Sequence, residues 1–320
     1  MIRRVSSLLI MLLLPGVMLR SQAATVAEYA FTGDMAVTRV SLDGGVTAIG
    51  EGAYAGTGVV TAIIPQGVTE IGAFAFADCR LLVKAEIPEG VTVLRAGLFR
   101  GCTALREVSL PSTIERVEGG VFAATALVDV DLSRCHALRS IGERCFAGCE
   151  ALGSVKLPEG VTSIGNGAFF GCTALKEIIY PESLRLIGDC ALACTSGISV
   201  MSLPPSLGYI GSNAMEGMNS LSGIDATWLN AVPQLGDDVW YGLPQPDIWL
   251  SVSPQLRDGF LASPQWSDFN ISGGTVSTSF PAIADRSVKS VAVYRVSEIE
   301  IIVTTFNDGS RRVDKILKTK

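Results

Sequence analysis

The chain has 320 residues, 48% of them hydrophobic and 18% charged, with a formal net charge of −6 at pH 7. This composition is too apolar for a disordered chain, and the acidic balance argues against a nucleic-acid partner, whose phosphates attract a basic surface. His136 is the single histidine, which excludes most histidine-based catalysis and any histidine-rich metal site. The sequence therefore predicts a folded protein with an extensive apolar core.

The first 23 residues have the pattern of a signal peptide. Arg3 and Arg4 precede an apolar run from Val5 to Leu19, and small residues stand at the cleavage site Ser21-Gln22-Ala23. The alternative is an uncleaved membrane anchor, but the apolar run is shorter than the ~20 residues that span a bilayer. We expect cleavage after Ala23, an exported mature chain, and no transmembrane segment within it.

From residue 24 onwards the sequence repeats. The pattern V-T-x-I-G-x-x-A-F-x-G-C, followed by L-x-x-V-x-L-P, returns every 22 to 24 residues. Its first apolar residue falls at Val46, Val68, Val91, Ile114, Leu138, Val161, Leu184 and Leu207. Its aromatic residue falls at Phe31, Tyr54, Phe76, Phe99, Phe122, Phe146 and Phe169, and is followed by Leu192, Met215 and Trp240. A constant period near 23 residues predicts a solenoid of about ten coils.

Each copy predicts two short strands and a turn. The alternation from Val155 to Leu157 before Pro158 is typical of a strand, and Val161 to Ile164 predicts a second extended segment. The A-F-x-G-C piece predicts a compact helical or 3₁₀ turn whose aromatic side chain packs between neighbouring coils. Because one coil cannot bury its apolar residues alone, the coils are expected to stack around a shared core.

The stretch from Gly160 to Cys172, G-V-T-S-I-G-N-G-A-F-F-G-C, resembles the repeat of the BspA-like leucine-rich repeat family. The resemblance covers residues 24–271 and implies a β-rich, right-handed leucine-rich-repeat solenoid. Its end also matches the family: residues 248–250 resemble a last strand, and residues 264–269 resemble the terminal W-x-x-F closure. Between them, Ser253 suits the N-cap of a short closing helix and Pro254 its first position.

Residues 272–320 leave the repeat and predict a small β tail. Strands are predicted at 291–296, 298–306 and 311–317, with Asn307-Asp308-Gly309 as a hairpin turn. This tail resembles, through its strand pair and basic end, the C-terminal sorting domains of type IX-secreted Bacteroidetes proteins. The alternative is a β appendage that extends or closes the solenoid. The predicted organisation is a signal peptide at 1–23, a solenoid at 24–271 and a tail at 272–320.

The glycine-rich segments and the cysteines favour structural roles. Residues 50–56 and 165–171 come near a dinucleotide-binding fingerprint, but these glycines occupy repeat positions and no long helix follows them. Four cysteines share one repeat position: Cys79, Cys102, Cys149 and Cys172. Side chains on rungs about 4.8 Å apart meet disulfide geometry poorly, so we expect a column of buried free thiols. The native protein is expected to hide its eight cysteines from thiol reagents.

Cys135 and His136 are the only cysteine and histidine that are close in sequence, and they lie in an insertion at residues 133–137. Neighbouring residues of an extended chain point to opposite sides, so these two are poorly placed as nucleophile and base. Without another catalytic pattern, the sequence predicts a protein that is not an enzyme and has no metal or other cofactor.

The candidate binding residues are the outward positions of the first strand in each coil, on the face expected to be concave. They are Lys84, Glu86, Glu107, Asp129, Asp131, Lys156, Glu177 and Trp249. The acids in the middle of this set are expected to repel one another and to attract a basic protein surface. A solvated strand face without a ligand is the alternative.

The family resemblance implies a cell-surface or secreted, adhesin-like protein that binds a protein or glycan of a host or neighbouring cell. The other hypothesis is an envelope or periplasmic scaffold that associates with its own copies.

Overall fold

The computed structural model describes residues 24–42, 45–273, 288–296, 299–306 and 311–317. The predicted signal peptide and the predicted hairpin turn at 307–309 lie outside these residues. By the contacts within the chain, two compact units are present, Met1–Gly273 and Gly274–Lys320. A search of the described residues finds no helix that combines the length and the apolar character needed to cross a membrane.

The first unit is a β-solenoid of about 11 turns, stacked from parallel strands with a period of about 23 residues and almost no helix. Its strands are, in chain order, β1 (Ala24–Val26), β2 (Val46–Ile49), β3 (Thr61–Ile63), β4 (Glu70–Ile71), β5 (Lys84–Glu86), β6 (Val93–Leu94), β7 (Glu107–Ser109), β8 (Arg116–Val117), β9 (Asp129–Asp131), β10 (Ser140–Ile141), β11 (Ser154–Lys156), β12 (Ser163–Ile164), β13 (Glu177–Ile179), β14 (Leu186–Ile187), β15 (Val200–Ser202), β16 (Tyr209–Ile210), β17 (Gly223–Ala226), β18 (Gln234–Leu235), β19 (Trp249–Val252) and β20 (Asn270–Gly273). The helical elements are a 3₁₀ helix at Gln245–Asp247 and α1 at Arg257–Ala262.

The strands form two faces of the solenoid, which we name sheet I and sheet II. Sheet I holds β3, β5, β7, β9, β11, β13, β15, β17, β19 and β20, and sheet II holds β1, β2, β4 and the shorter strands from β6 to β18. Sheet II is a seven-stranded ladder from β6 to β18, with a separate three-stranded part at its start. Both faces are parallel, because every coil runs in the same direction around the axis.

Sheet I is interrupted twice, between β7 and β9 and between β13 and β15. The first interruption follows an uneven repeat, since 22 residues separate Glu107 from Asp129 and 25 separate Asp129 from Ser154. The second lies beside Tyr180, which occupies the repeat position of Leu157 and whose hydroxyl is buried without a hydrogen-bond partner among the described residues. A change of coil length or of core volume thus coincides with each loss of strand pairing.

A turn that carries the aromatic residue joins each strand of sheet II to the next strand of sheet I. Its N–H groups donate to carbonyl groups of the next coil, as Phe99 does to Val121 at 2.8 Å. Gly97 and Gly101 in this turn have positive φ angles of 60° and 74°. These left-handed residues prevent a continuous helix, so the helical or 3₁₀ turn predicted here is wrong and the segment is a chain of tight turns.

The aromatic residues form a continuous stack through the core. Successive rings from Phe31 to Phe169 are stacked, with centroid distances between 5.1 and 5.9 Å. Leu192, Met215 and Trp240 continue this column as buried side chains. The predicted burial of the repeat aromatics between coils is therefore confirmed from Tyr54 to Phe169, whereas Phe31 in the first coil is partly buried.

The C-terminal end of the solenoid is covered by an aromatic cluster. Trp266 contacts Trp240, Phe260 and Phe269, and its indole N–H donates to the carbonyl of Pro233 at 3.0 Å. Trp266 and Phe269 are buried, so the predicted closure by this motif is confirmed.

Two details of the predicted end are wrong. Ser253 does not cap the helix: its carbonyl accepts the Leu256 N–H and closes a separate turn, so that α1 starts at Arg257 with Leu256 at the N-cap position. The strand predicted at residues 248–250 is instead β19, at 249–252, and it is not the last, because β20 pairs with it after the closing segment. The sequence of β20 lacks the repeat pattern. It pairs with β19 because the chain returns to the edge of sheet I after α1.

The second unit contains an antiparallel sheet of three strands, β21 (Val288–Val296), β22 (Ile299–Phe306) and β23 (Arg311–Leu317). β22 is the central strand and pairs with both others. The first strand begins three residues earlier than the sequence predicts.

Candidate binding face

The eight candidate residues all lie at outward positions on strands of sheet I. Glu107, Asp129, Asp131, Lys156 and Glu177 are exposed, whereas Lys84 and Glu86 are partly covered. The side chain of Trp249 is 54% exposed. Their orientation follows from strand alternation, which directs the intervening residues, such as Val130 and Val155, into the core. Their participation in binding remains a prediction.

Pairing between strands brings acids next to basic or hydroxyl groups. Asp131 lies in register with Lys156, and Asp129 lies in register with Ser154, whose hydroxyl donates to the Asp129 Oδ1 at 2.6 Å. The backbone N–H of Ser133 donates to Asp131 Oδ1 at 2.8 Å. Hydrogen bonding from Ser133 holds the pKa of Asp131 below its usual value, and the charge of Lys156 acts in the same direction.

The pKa of Asp131 bears on the repulsion expected between the acids. Repulsion between neighbouring carboxylates would raise their pKa values, whereas that of Asp131 is lowered. Glu107 and Asp129 lie on consecutive coils but on opposite sides of the first interruption of sheet I. Ser154 and Lys156 thus face Asp129 and Asp131 on one side, whereas no strand of sheet I lies between Glu107 and Asp129, so the repulsion expected between these two acids stays a prediction.

Basic and acidic groups also alternate before the interruption. Lys84 forms an ion pair with Glu86 on the same strand, with 2.9 Å between Nζ and Oε1, and lies in register with Glu107. The hydrogen bond with Glu86 is the main reason that the pKa of Lys84 is raised. This part of sheet I thus presents both signs of charge to a ligand.

Sheet I also exposes several large apolar side chains. Ile63 and Ile179 occupy outward strand positions, and Val60, Val83 and Val128 immediately precede β3, β5 and β9. All five have at least 43% of their surface exposed. The valines were not among the candidate residues, although the sequence held a signal: the equivalent position in other coils carries Arg106 or Lys176.

The four cysteines at the shared repeat position are buried, as expected. Each thiol lies near the backbone of the preceding coil, and Cys149 Sγ donates to the carbonyl of Phe122 at 3.0 Å. Thr125 takes this position in the previous coil, and its hydroxyl donates to the same carbonyl at 2.9 Å. Burial raises the pKa of Cys149, which keeps the thiol protonated. These cysteines therefore act as small hydrogen-bonding core residues.

The expectation that every cysteine is hidden is wrong for two of them. Cys194 is exposed and Cys190 is half-buried, and both occupy left-handed positions of an aromatic turn with φ angles of 62° and 53°.

Cys135 is buried, and burial raises its pKa, whereas the neighbouring His136 is exposed. The two side chains thus have different environments, and the thiol is not activated as a nucleophile. In the part of the chain that the structure describes, no group of three or more histidine, cysteine or acidic residues is arranged to hold a metal ion.

The glycines of the dinucleotide-like segments serve coil stacking. A Cβ atom on Gly165 would lie 2.8 Å from the backbone nitrogen of Glu143 in the preceding coil. Such an approach is too close for any side chain, so these glycines permit the coils to pack directly on each other.

The fold and its exposed sheet define a repeat protein of the leucine-rich solenoid class. The sequence profile of the BspA type leucine rich repeat region matches residues 24–137 and 135–243, with six copies. The chain belongs to this family of bacterial leucine-rich repeat proteins. No curated protein matches the chain significantly.

Solved structures with a similar fold come from several bacteria. A leucine-rich repeat protein from Bacteroides ovatus is 24% identical, with a TM-score of 0.48; the match covers 67% of this chain and 61% of that one. The pneumococcal vaccine antigen PcpA is 16% identical, with a TM-score of 0.48, over 79% of this chain and 77% of that one. A leucine-rich cell surface protein from Faecalibacterium prausnitzii is 21% identical, with a TM-score of 0.30, over 69% and 83%.

Proposed function

We propose that this protein is a non-catalytic, exported binding protein of the cell surface or extracellular space, adhesin-like in its action. Its proposed ligand-binding surface is the outward side of sheet I, and the proposed partner is a protein of a host or neighbouring cell. The observation that carries this proposal is the concentration of exposed apolar side chains beside paired charges on sheet I. Exposed apolar residues rimmed by polar ones are typical of interaction sites.

The combination of side chains supports a protein partner for the middle of the sheet. Ile179 supplies apolar surface next to Lys156, and Glu107 and Asp129 supply acids on either side of the first interruption. Charges at the rim of such a surface set the association rate and its salt dependence more than the affinity. We therefore expect binding to a protein with a basic patch, weakened by salt.

The test is the binding of the mature chain, residues 24–320, to a panel of extracellular-matrix and cell-surface proteins at low and high salt. The double variant Glu107→Lys with Asp129→Lys reverses two charges of sheet I, and is expected to lower the association rate at least tenfold. The matched control is Glu70→Lys, an exposed acid on strand β4 of sheet II. Equal effects of both variants, or no binding to any protein of the panel, would contradict the proposal.

Self-association as an envelope scaffold is the second candidate function. Tyr29 and Met35 in the first turn of the solenoid are more than half exposed. A second copy that covered them would bury apolar surface at this end. Concentration-dependent oligomers in analytical ultracentrifugation, lost in Tyr29→Ser with Met35→Ser, would favour this function over the first.

A further inference from the structure

We propose that the C-terminal part of sheet I is a binding site for neutral glycans, with Trp249 as the platform on which a sugar ring stacks. The site consists of the outward residues of β15, β17, β19 and β20, here named the C-terminal patch: Val200, Ser202, Gly223, Asp225, Trp249, Ser251, Asn270 and Ser272. The inference rests on the proposed function only in that sheet I is the ligand-binding surface.

Trp249 is a large apolar side chain that does not pack into the core of the solenoid. Its side chain is 54% exposed, and within the described residues it makes neither a hydrogen bond nor a ring contact. Its neighbours in register are Gly223, which has no side chain, and Asn270. An exposed indole whose neighbours in register are small offers a ring face to a ligand. Tryptophan combines this apolar surface with a polar N–H group.

Hydrogen-bonding groups surround this platform in a fixed arrangement. Asp225 Oδ1 accepts hydrogen bonds from the Thr227 N–H at 3.0 Å and from the Thr227 hydroxyl at 2.6 Å. Because Oδ1 is held in this way, the carboxylate has one orientation, and Oδ2 is available as an acceptor. Ser251 lies in register with Asp225, and its hydroxyl is 3.5 Å from that of Ser272.

The charges of the patch select among ligand classes. None of its eight residues is basic, whereas strands β5 and β11 carry Lys84 and Lys156. A phosphate, sulfate or uronic acid would meet the Asp225 carboxylate without a compensating cation. A protein partner is also a poor match, because interfaces are built around a desolvated cluster of apolar side chains and Trp249 has only Val200 as an apolar residue in its column. Hydroxyl-rich neutral sugars fit both the hydroxyl and carboxylate groups and the isolated ring.

A second exposed tryptophan lies beyond the other end of the same strands. Trp228 is 50% exposed and follows β17 by two residues. From the level of Gly223 and Trp249 to the end of β17 is about 10 Å, at a rise of ~3.3 Å per residue. A glycan of several rings that runs along the strand from Trp249 would pass Asp225 and Ser251 in the direction of the turn that carries Trp228.

The experiment measures binding of residues 24–320 to neutral hexasaccharides: cellohexaose, laminarihexaose, mannohexaose and chitohexaose. Calorimetry gives the affinity, and quenching of tryptophan fluorescence reports stacking. We expect at least one of them to bind, with affinity reduced at least tenfold in Trp249→Ala and at least fivefold in Asp225→Asn. Trp249→Phe keeps a ring and is expected to lose less than Trp249→Ala. Tyr241→Ala removes an exposed aromatic outside the patch and is the matched control.

A blocking variant tests the site without removing any group of it. A Cβ atom on Gly223 would lie 3.8 Å from Val200 Cγ2 and 3.9 Å from the Trp249 carbonyl, which are ordinary contacts. Gly223→Val is therefore expected to fold normally, as checked by thermal unfolding, and to lower glycan affinity by occupying the space beside Trp249.

Two results would overturn the inference: no binding of any hexasaccharide at 10 mM, or binding that Tyr241→Ala lowers as much as Trp249→Ala. The double variant Glu107→Lys with Asp129→Lys separates this inference from the proposed function. We expect this variant to associate with the protein partner at least tenfold more slowly and to bind the glycan as wild type does. If wild type binds the protein partner but none of the hexasaccharides, only the glycan site is refuted.

Discussion

The ring of Phe74 lies directly over Gly97 of the next coil, in the space that a side chain at position 97 would need. Both residues have left-handed backbones, with φ angles of 56° and 60°. The same relationship links Tyr29 to Gly52 and Arg144 to Gly167. A bulky residue at this turn position is thus followed one coil later by a glycine that makes room for it.

Gly97→Ala is therefore expected to destabilise the solenoid through two effects, the left-handed backbone and the contact with Phe74. Gly120 isolates the first effect, because it has a φ of 63° and nothing within 4 Å of the position of its Cβ. We expect Gly120→Ala to cost about 1–2 kcal/mol, as for a left-handed non-glycine residue, and Gly97→Ala to cost more. Chemical denaturation measures both.

The double variant Phe74→Ala with Gly97→Ala removes the ring. Relative to Phe74→Ala alone, the second substitution is then expected to cost about as much as Gly120→Ala. If Gly97→Ala and Gly120→Ala lowered the unfolding free energy equally in the wild-type background, the Phe74 ring would move aside without measurable cost, contrary to this prediction.

The aromatic stack makes a second prediction. Phe99 and Phe146 are fully buried between rings of neighbouring coils, so replacing either with alanine is expected to cost ~3–5 kcal/mol of unfolding free energy. Phe146→Leu is expected to cost less, because Leu192 fills the same repeat position in a later coil. Lys84→Ala is the surface control, with an expected loss close to zero. Similar small losses in all four variants would contradict the stack.

Thiol titration gives a third prediction. In native protein we expect the reagent to modify Cys194 rapidly and Cys190 more slowly, because these are the cysteines that are not buried. In denatured, unreduced protein we expect most of the eight cysteines of the chain to react. Cys194→Ser is expected to remove the fast phase without loss of stability. Mass spectrometry that finds disulfide bridges between the column cysteines would overturn the prediction of buried thiols.

The acid sensitivity of the sheet I surface gives a fourth prediction. The pKa of Asp131 is lower in the folded protein than its ordinary value of 3.8, mainly because of the hydrogen bond from Ser133. A carboxyl group with a lowered folded pKa stabilises the fold above its unfolded pKa, and this contribution is lost as the pH falls through the folded pKa. Wild type is therefore expected to lose stability below about pH 4 more steeply than Asp131→Asn.

Denaturant midpoints at pH 7, 4 and 3 measure this difference. Glu70→Gln on sheet II serves as the control and is expected to keep the wild-type pH profile. A steeper loss in Asp131→Asn than in wild type would mean that the acid is destabilised by its neighbours, as the sequence alone suggested.

The sequence determined the repeat and the composition of the core. The period near 23 residues, the column of aromatic residues ending at Trp240, and the closure by Trp266 and Phe269 could all be read from residue types and spacing. These features were predictable because each coil must bury the same positions against its neighbours, and burial is encoded locally by which residues are apolar.

Only the tertiary structure decided which coils pair and what each outward residue faces. Both interruptions of sheet I, the placing of Lys156 beside Asp131, and the isolation of Trp249 next to Gly223 depend on strand register between residues more than 20 positions apart. The periodic pattern fixes which side of a strand faces the core. The two interruptions coincide with an uneven coil length and with a tyrosine in place of a leucine, and hydrogen bonds between coils form only where the stacked backbones come within reach.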